Sequence, residues 1–266
     1  MRATPLPAVG LAAILAGCAA ALHEPPPVSA IARAGPAVGK EGVPELLAAA
    51  DASFAGRPDL EAVRRAEALY LEAAASDESR VDGLLGAVRA KTWLAEHVAG
   101  ASARETLAVS AVQAAQWCGR RAPEDRACDY WLAVALGLQA RERHSTAEDA
   151  LKRMVALLRR AAAAGPALDE AGPHRVLALV LLRAPAWPIG PGDPEAGLDE
   201  ARKAVALRPG HPPNQVALGE ALAAAGKAQA ARQAYLEALD LARSRQAAGD
   251  PDAGDWVREA EGALAR

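Results

Sequence analysis

The stretch NQVALGEALAAAGKAQAARQAYLEAL, residues 214–239, constrains the fold more than any other part of the chain. It reads as two helices. Leu218, Gly219 and Leu222 lie on the first, and Ala231, Tyr235 and Ala238 on the second. On the second helix Ala228, Ala231, Tyr235, Ala238 and Ala242 fall at spacings of three and four, which is one apolar stripe. Gly219 and the alanines let two antiparallel helices approach closely, and Tyr235 fills the space between units. Such a pair cannot bury its apolar face alone, so it demands stacked neighbours.

Those neighbours are legible upstream. About 34 residues earlier, EAGLDEARKAVALRP carries Gly197, Ala201 and Ala204, with Pro209 closing the unit and a stripe of Leu198, Ala201, Val205 and Arg208. Ala66, Tyr70 and Ala73 repeat the small–aromatic–small spacing, and Leu85-Gly86 and Leu136-Gly137 repeat the Leu-Gly pair. The terminal proline of the clean unit would fall at Arg243 and is missing. The pattern resembles the tetratricopeptide repeat (TPR). It predicts an all-α, TPR-like α-solenoid of about four antiparallel helix pairs, irregular in its middle, built from about ten helices over residues 43–266. The alternative is an irregular alanine-rich helical bundle. Strand signals are absent: there is no sustained period-two alternation and no Asn-Gly turn. Aromatics make up only 3% of a 52% apolar chain, which suits closely packed helices. Asp59, Ser145 or Thr146, Asp193 and Asp252 are the expected helix N-caps.

The N-terminus follows a different grammar. Arg2, the apolar run AVGLAAIL and then LAGC form a charged region, an apolar region and a small-residue cleavage site. The tetrapeptide resembles a bacterial lipobox. That resemblance implies a signal peptide over 1–17, lipidation at Cys18, and a body facing the periplasm. Ala19, where an aspartate would signal retention, favours the outer membrane by the same resemblance. Residues 18–42, rich in proline and glycine, read as a flexible tether.

The loop RAPAWPIGPGDPEAG interrupts the alanine-rich pattern. Pro185, Pro188 and Pro191 cannot continue a helix, while Asp193 and Pro194 make a good helix start. It lacks the lysine, the serine or threonine and the preceding strand of a phosphate-binding loop. It is read as an elbow whose Trp187 either packs on the helices beneath or forms a binding lip, packing being favoured.

Cys118 and Cys128 sit at facing ends of two helices and are read as a disulfide. No histidine accompanies them to complete a zinc shell. His23, His97, His144, His174 and His211 show no ligand spacing, and no catalytic constellation converges. The expectation is therefore no enzyme, no cofactor and no metal. A net charge of −3 without a basic stripe gives no nucleic-acid footprint.

Taken together, the lipobox, Tyr130-Trp131-x-Ala133-x-x-x-Gly137 and the Trp-Pro and Gly-Asp-Pro loop resemble the TPR-type lipoproteins associated with TRAP transporters as their T component. The resemblance implies an anchored scaffold that binds envelope proteins, among them a periplasmic solute-binding protein. Its alternative is a hydrophobic-ligand accessory whose cavity the Val176–Leu182 helix would line. Val216, Glu220 and Ala223 are the expected concave-face positions of the clean repeat. They offer no lysine or arginine to grip a carboxylate.

Overall fold

The computed structural model describes residues 20–32 and 39–266. The signal segment and Cys18 lie outside the described residues. Among these residues run twelve α-helices: α1 (Val28–Ile31), α2 (Val43–Phe54), α3 (Leu60–Ser76), α4 (Asp82–His97), α5 (Ala101–Arg121), α6 (Arg126–Glu142), α7 (Ala147–Ala164), α8 (Leu168–Arg183), α9 (Pro194–Leu207), α10 (Pro212–Ala224), α11 (Ala228–Ala247) and α12 (Ala253–Leu264). From α2 onward each helix packs against the next, joined by short turns except for the longer loop between α8 and α9. The result is five antiparallel pairs, α2/α3 to α10/α11, closed by α12. No described residue belongs to a strand. The fold is the expected α-solenoid, with one pair more than the sequence suggests.

Small residues set the spacing of the helices. Each of the chain's three tyrosines lies against a glycine of a neighbouring helix. A methyl group on Gly86 would lie 2.3 Å from the Tyr70 ring, and one on Gly219 would lie 2.3 Å from the Tyr235 ring. One on Gly172 would meet the Tyr130 hydroxyl at the same 2.3 Å. The glycines therefore let each aromatic ring sit directly on a helix backbone. Leu218, Leu222, Ala231, Tyr235 and Ala238 share one apolar cluster with Leu198, Ala201 and Ala260, and Gly219 is buried beside them. Ala228, expected in that stripe, is exposed, and Ala234 and Leu239 are buried instead.

Asp59 and Asp193 accept capping hydrogen bonds from the Glu61 and Ala196 amides at 3.0 Å. Thr146 and Asp252 occupy cap positions without a side-chain capping bond. The irregular middle has a specific cause. Asp169, Glu170 and Ala171 adopt left-handed backbone, with φ of 46°, 54° and 67°. Such a conformation is costly for non-glycine residues and needs outside support. The Tyr130 hydroxyl donates to the Asp169 carboxylate, and Arg175 Nη2 donates to it at 2.9 Å. The fully buried Asn214 donates through Nδ2 to the Glu170 carbonyl at 3.0 Å.

Residues 20–32 differ from the flexible tether expected there. They run along the body. The Ala21 amide donates to Asp149 Oδ2 at 2.8 Å, Gln116 Nε2 to the His23 carbonyl at 2.9 Å, and Trp117 Nε1 to the Pro26 carbonyl at 2.7 Å. Arg120 holds both oxygens of Glu24. Ala21 and Val28 are buried in the same cluster as Cys118 and Leu158. A proline-rich extended chain leaves its carbonyls free, and α5 supplies donors for them.

Candidate functional site

Alternate helices turn charged side chains toward a common inner side. Arg141 of α6 lies 3.8 Å from Glu96 of α4, and Arg183 of α8 pairs with Glu220 of α10 at 2.8 Å. Glu259 of α12 faces Glu220, Arg183, Glu96 and Arg175 electrostatically. This arrangement makes α4, α6, α8, α10 and α12 the concave wall. Glu96 and Glu259 are exposed to solvent there. Desolvation by the surrounding protein first, and for Glu259 the Glu220 charge next, pushes both carboxyl pKa values up.

The two ends of the solenoid meet. Arg57, in the α2–α3 turn, donates Nε and Nη2 to the two oxygens of Asp252 at 2.8 and 3.1 Å, across 195 residues. Its guanidinium lies over the Phe54 ring, 3.9 Å from the centroid. His97, at the end of α4, places Nε2 2.8 Å from Asp255 Oδ2 and stacks on Trp93 at 3.7 Å. The N-terminal turn of α12 is thus clasped by two side-chain contacts to the first two helix pairs. Nothing in the local sequence around these four residues signals the pairing.

Of the expected concave positions, Glu220 lies on this wall, Ala223 is exposed and Val216 is buried in the core. Val216 turns inward because it packs with Leu198 and Tyr235. The Val176–Leu182 segment packs as core: Leu177, Val180 and Leu181 are buried among α6 and α7 residues.

The structure does not place Trp187 against the helices beneath. Its side chain is 86% exposed and Ile189 is 72% exposed. The loop is nevertheless well held. Gly192 N–H donates to the Pro185 carbonyl at 2.8 Å and Asp193 N–H to the Leu181 carbonyl at 2.9 Å. Beside it lies an open groove of about 870 Å³, lined by Trp187, Asp193, Glu195, Leu198, Arg202 and Lys227.

Cys118 and Cys128 form a disulfide, with Cα atoms 5.4 Å apart. Among the described residues no group of three or more His, Cys, Asp or Glu is arranged to hold a metal ion. No described helix is long and apolar enough to cross a membrane. His174 pairs through Nδ1 with Glu200 at 2.5 Å. His211 is buried with Nδ1 unpartnered and its ring edge-on to Trp256, and burial pushes its pKa down to about 3.

No family model matches the sequence, and no curated protein matches it. Solved structures do match in fold. A thermophilic TPR protein of Thermus thermophilus superposes with a TM-score of 0.62 at 19% identity, over 84% of this chain and 100% of that one. MamA (residues 41 to the end) from Desulfovibrio magneticus superposes with a TM-score of 0.51 at 17% identity, over 79% of this chain and 99% of that one. These likenesses identify the architecture as a TPR solenoid.

Proposed function

We propose that the protein is a lipid-anchored, periplasm-facing TPR scaffold that binds a protein partner in the cell envelope, outer membrane favoured. The observation that carries the binding reading is the wall of alternate helices, on which Arg141 lies beside Glu96 and Arg183 pairs with Glu220 from one helix to the next. TPR solenoids use extended concave surfaces for binding. On Glu96 and Glu259 the surrounding protein raises the carboxyl pKa, so a partner group that donates a hydrogen bond to either would favour its bound form. The wall mixes carboxylates with Arg141 and Arg183, and so suits a polar segment that can exchange hydrogen bonds with both. The anchoring reading rests on the LAGC motif and Cys18.

The TRAP-associated reading adds a solute-binding protein as the partner. The hydrophobic-ligand alternative is less well supported, because the residues it requires for a cavity, Leu177, Val180 and Leu181, are packed into the core.

The test is brief crosslinking in the native envelope, affinity capture and mass spectrometry, run in parallel on the wild type and the Glu96→Gln/Glu259→Gln variant. A partner recovered with wild type and lost with the variant supports the concave-wall reading. Recovery of the same proteins with both, or of the protein alone, overturns it. A solute-binding protein among the lost partners would support the transport association.

A further inference from the structure

Three observations meet at one end of the α7/α8 hairpin. First, the loop between α8 and α9 carries no charge from Ala184 to Gly192 and displays Trp187 and Ile189. The other large apolar side chains exposed among the described residues, Leu207 and Leu236, are only 36% and 37% exposed. Second, the loop holds its tip outward by its own hydrogen bonds. Three prolines restrict it, Ile189 and Gly190 both donate to the Ala186 carbonyl at 3.1 Å, and its base is tied to Leu181 and Pro185. Third, the docked N-terminal segment begins at this same end. Ala21 is bonded to Asp149 in the first turn of α7. α7 starts where α8 ends, and Ala21, Ala150 and Leu181 share one cluster, with Ala196 of α9 packed against it.

Cys18 precedes Ala21 by three residues, which span at most about 10 Å of extended chain. A diacylglycerol on Cys18 would therefore bring the bilayer to this end of the hairpin. From this we propose that the Pro185–Pro191 loop is a second membrane contact, with the Trp187 indole at headgroup depth and Ile189 reaching the acyl boundary. The inference rests on the anchoring reading for its location and on the loop's own geometry for its contact.

The chemistry fits a bilayer. Tryptophan favours the membrane interface, where its ring is buried and its N–H finds polar headgroups. Two side chains bind a membrane weakly by themselves. The anchor converts that contact into an intramolecular one with a high effective concentration. Stable membrane attachment commonly combines two such signals. The body would then lie on the membrane, held by its N-terminal segment and this loop.

The test is tryptophan quenching in vesicles of phosphatidylethanolamine and phosphatidylglycerol, using the full chain purified from cells. Intact mass reports whether Cys18 carries lipid, and flotation against Cys18→Ala reports whether that lipid anchors the protein. Lipids brominated on the acyl chain then quench any buried indole. The expected result is bromolipid quenching that disappears in Trp187→Phe and is reduced in Ile189→Ser, with iodide access to Trp187 falling on binding. Unchanged quenching in Trp187→Phe, or a floating protein whose Trp187 stays open to iodide, overturns the proposal and leaves the anchoring reading standing. If Cys18 carries no lipid, the anchoring reading fails. The same chain coupled at Cys18 to a maleimide lipid then tests the loop by the same quenching, with the same supporting and overturning outcomes.

Discussion

Replacing Gly219 by alanine puts two effects in opposition. In the interior of α10, alanine is favoured over glycine by about 0.8–1 kcal/mol. The added methyl group would lie 2.3, 2.5 and 2.9 Å from three ring carbons of Tyr235. Ordinary carbon contacts are about 3.5–4.0 Å, so the ring must retreat by more than an ångström. Tyr235 has little room, because Leu198, Val216, Ala238 and Ala260 belong to the same cluster. Overpacking of this kind costs about 1–3 kcal/mol. Gly219→Ala should therefore destabilise by up to about 2 kcal/mol despite the propensity gain. Tyr235→Ala opens a cavity and should cost about 3–5 kcal/mol. In that background the clash is gone, and Gly219→Ala should become stabilising by about 1 kcal/mol. Urea unfolding followed by circular dichroism measures all four species. A reversal of sign with a coupling of about 1–3 kcal/mol supports the packing argument. If Gly219→Ala stabilises both backgrounds equally, the glycine does not serve the tyrosine and the reasoning fails.

Three further outcomes are expected. Cys118→Ala/Cys128→Ala should cost about 2–3 kcal/mol, since the bridge closes a loop of some ten residues; equal melting temperatures for this variant and the wild type would contradict this. His211 is neutral in the folded protein down to about pH 3, whereas the unfolded chain protonates near pH 6.5. Between those values the unfolded state holds more protons, so stability is full above pH 6.5 and falls as pH drops toward 3. The causes are burial first, then Arg175, with Arg245 adding to it and Asp169 opposing. His211→Gln should flatten the stability–pH curve in that window, and an unchanged slope would count against the buried neutral imidazole. Finally, Trp117→Phe removes the donor to the Pro26 carbonyl and should weaken docking of residues 20–32 by about 0.5–1.5 kcal/mol. Hydrogen exchange would then speed up at the Ala21 and Ala30 amides and stay constant in α10 and α11; uniform rates throughout would refute the docked segment.

The repeat is legible because its signals are local. Gly219 and Tyr235 sit on consecutive helices and touch in space, and Asp59 and Asp193 cap helices that begin beside them. What escapes the sequence is held by distant partners. No local rule places Asp169, Glu170 and Ala171 in left-handed backbone; Tyr130 and Asn214, from α6 and α10, hold them there. The proline-rich segment at residues 20–32 has a linker's composition, and only the donors of α5 give it a fixed path. Trp187 is open to two readings because a proline elbow is equally compatible with a packed or a projecting side chain. The concave wall is partly legible: the repeat pattern points to Glu220, whereas Glu96 and Glu259 require the curvature that brings α12 to α4.

That curvature has a mechanical consequence. An open solenoid behaves as a spring, because small rotations between neighbouring repeats add up to large movements of its free ends. Here the Arg57–Asp252 and His97–Asp255 contacts join the ends. A joined spring loses its softest stretching mode, and its remaining flexibility is divided among helix pairs that must move together. Spreading the two ends apart would require breaking both polar contacts, whereas docking on the outer edge would not. If a partner does bind the inner wall as proposed, the clasp would set how fast the wall is reached and the wall how tightly the partner is kept.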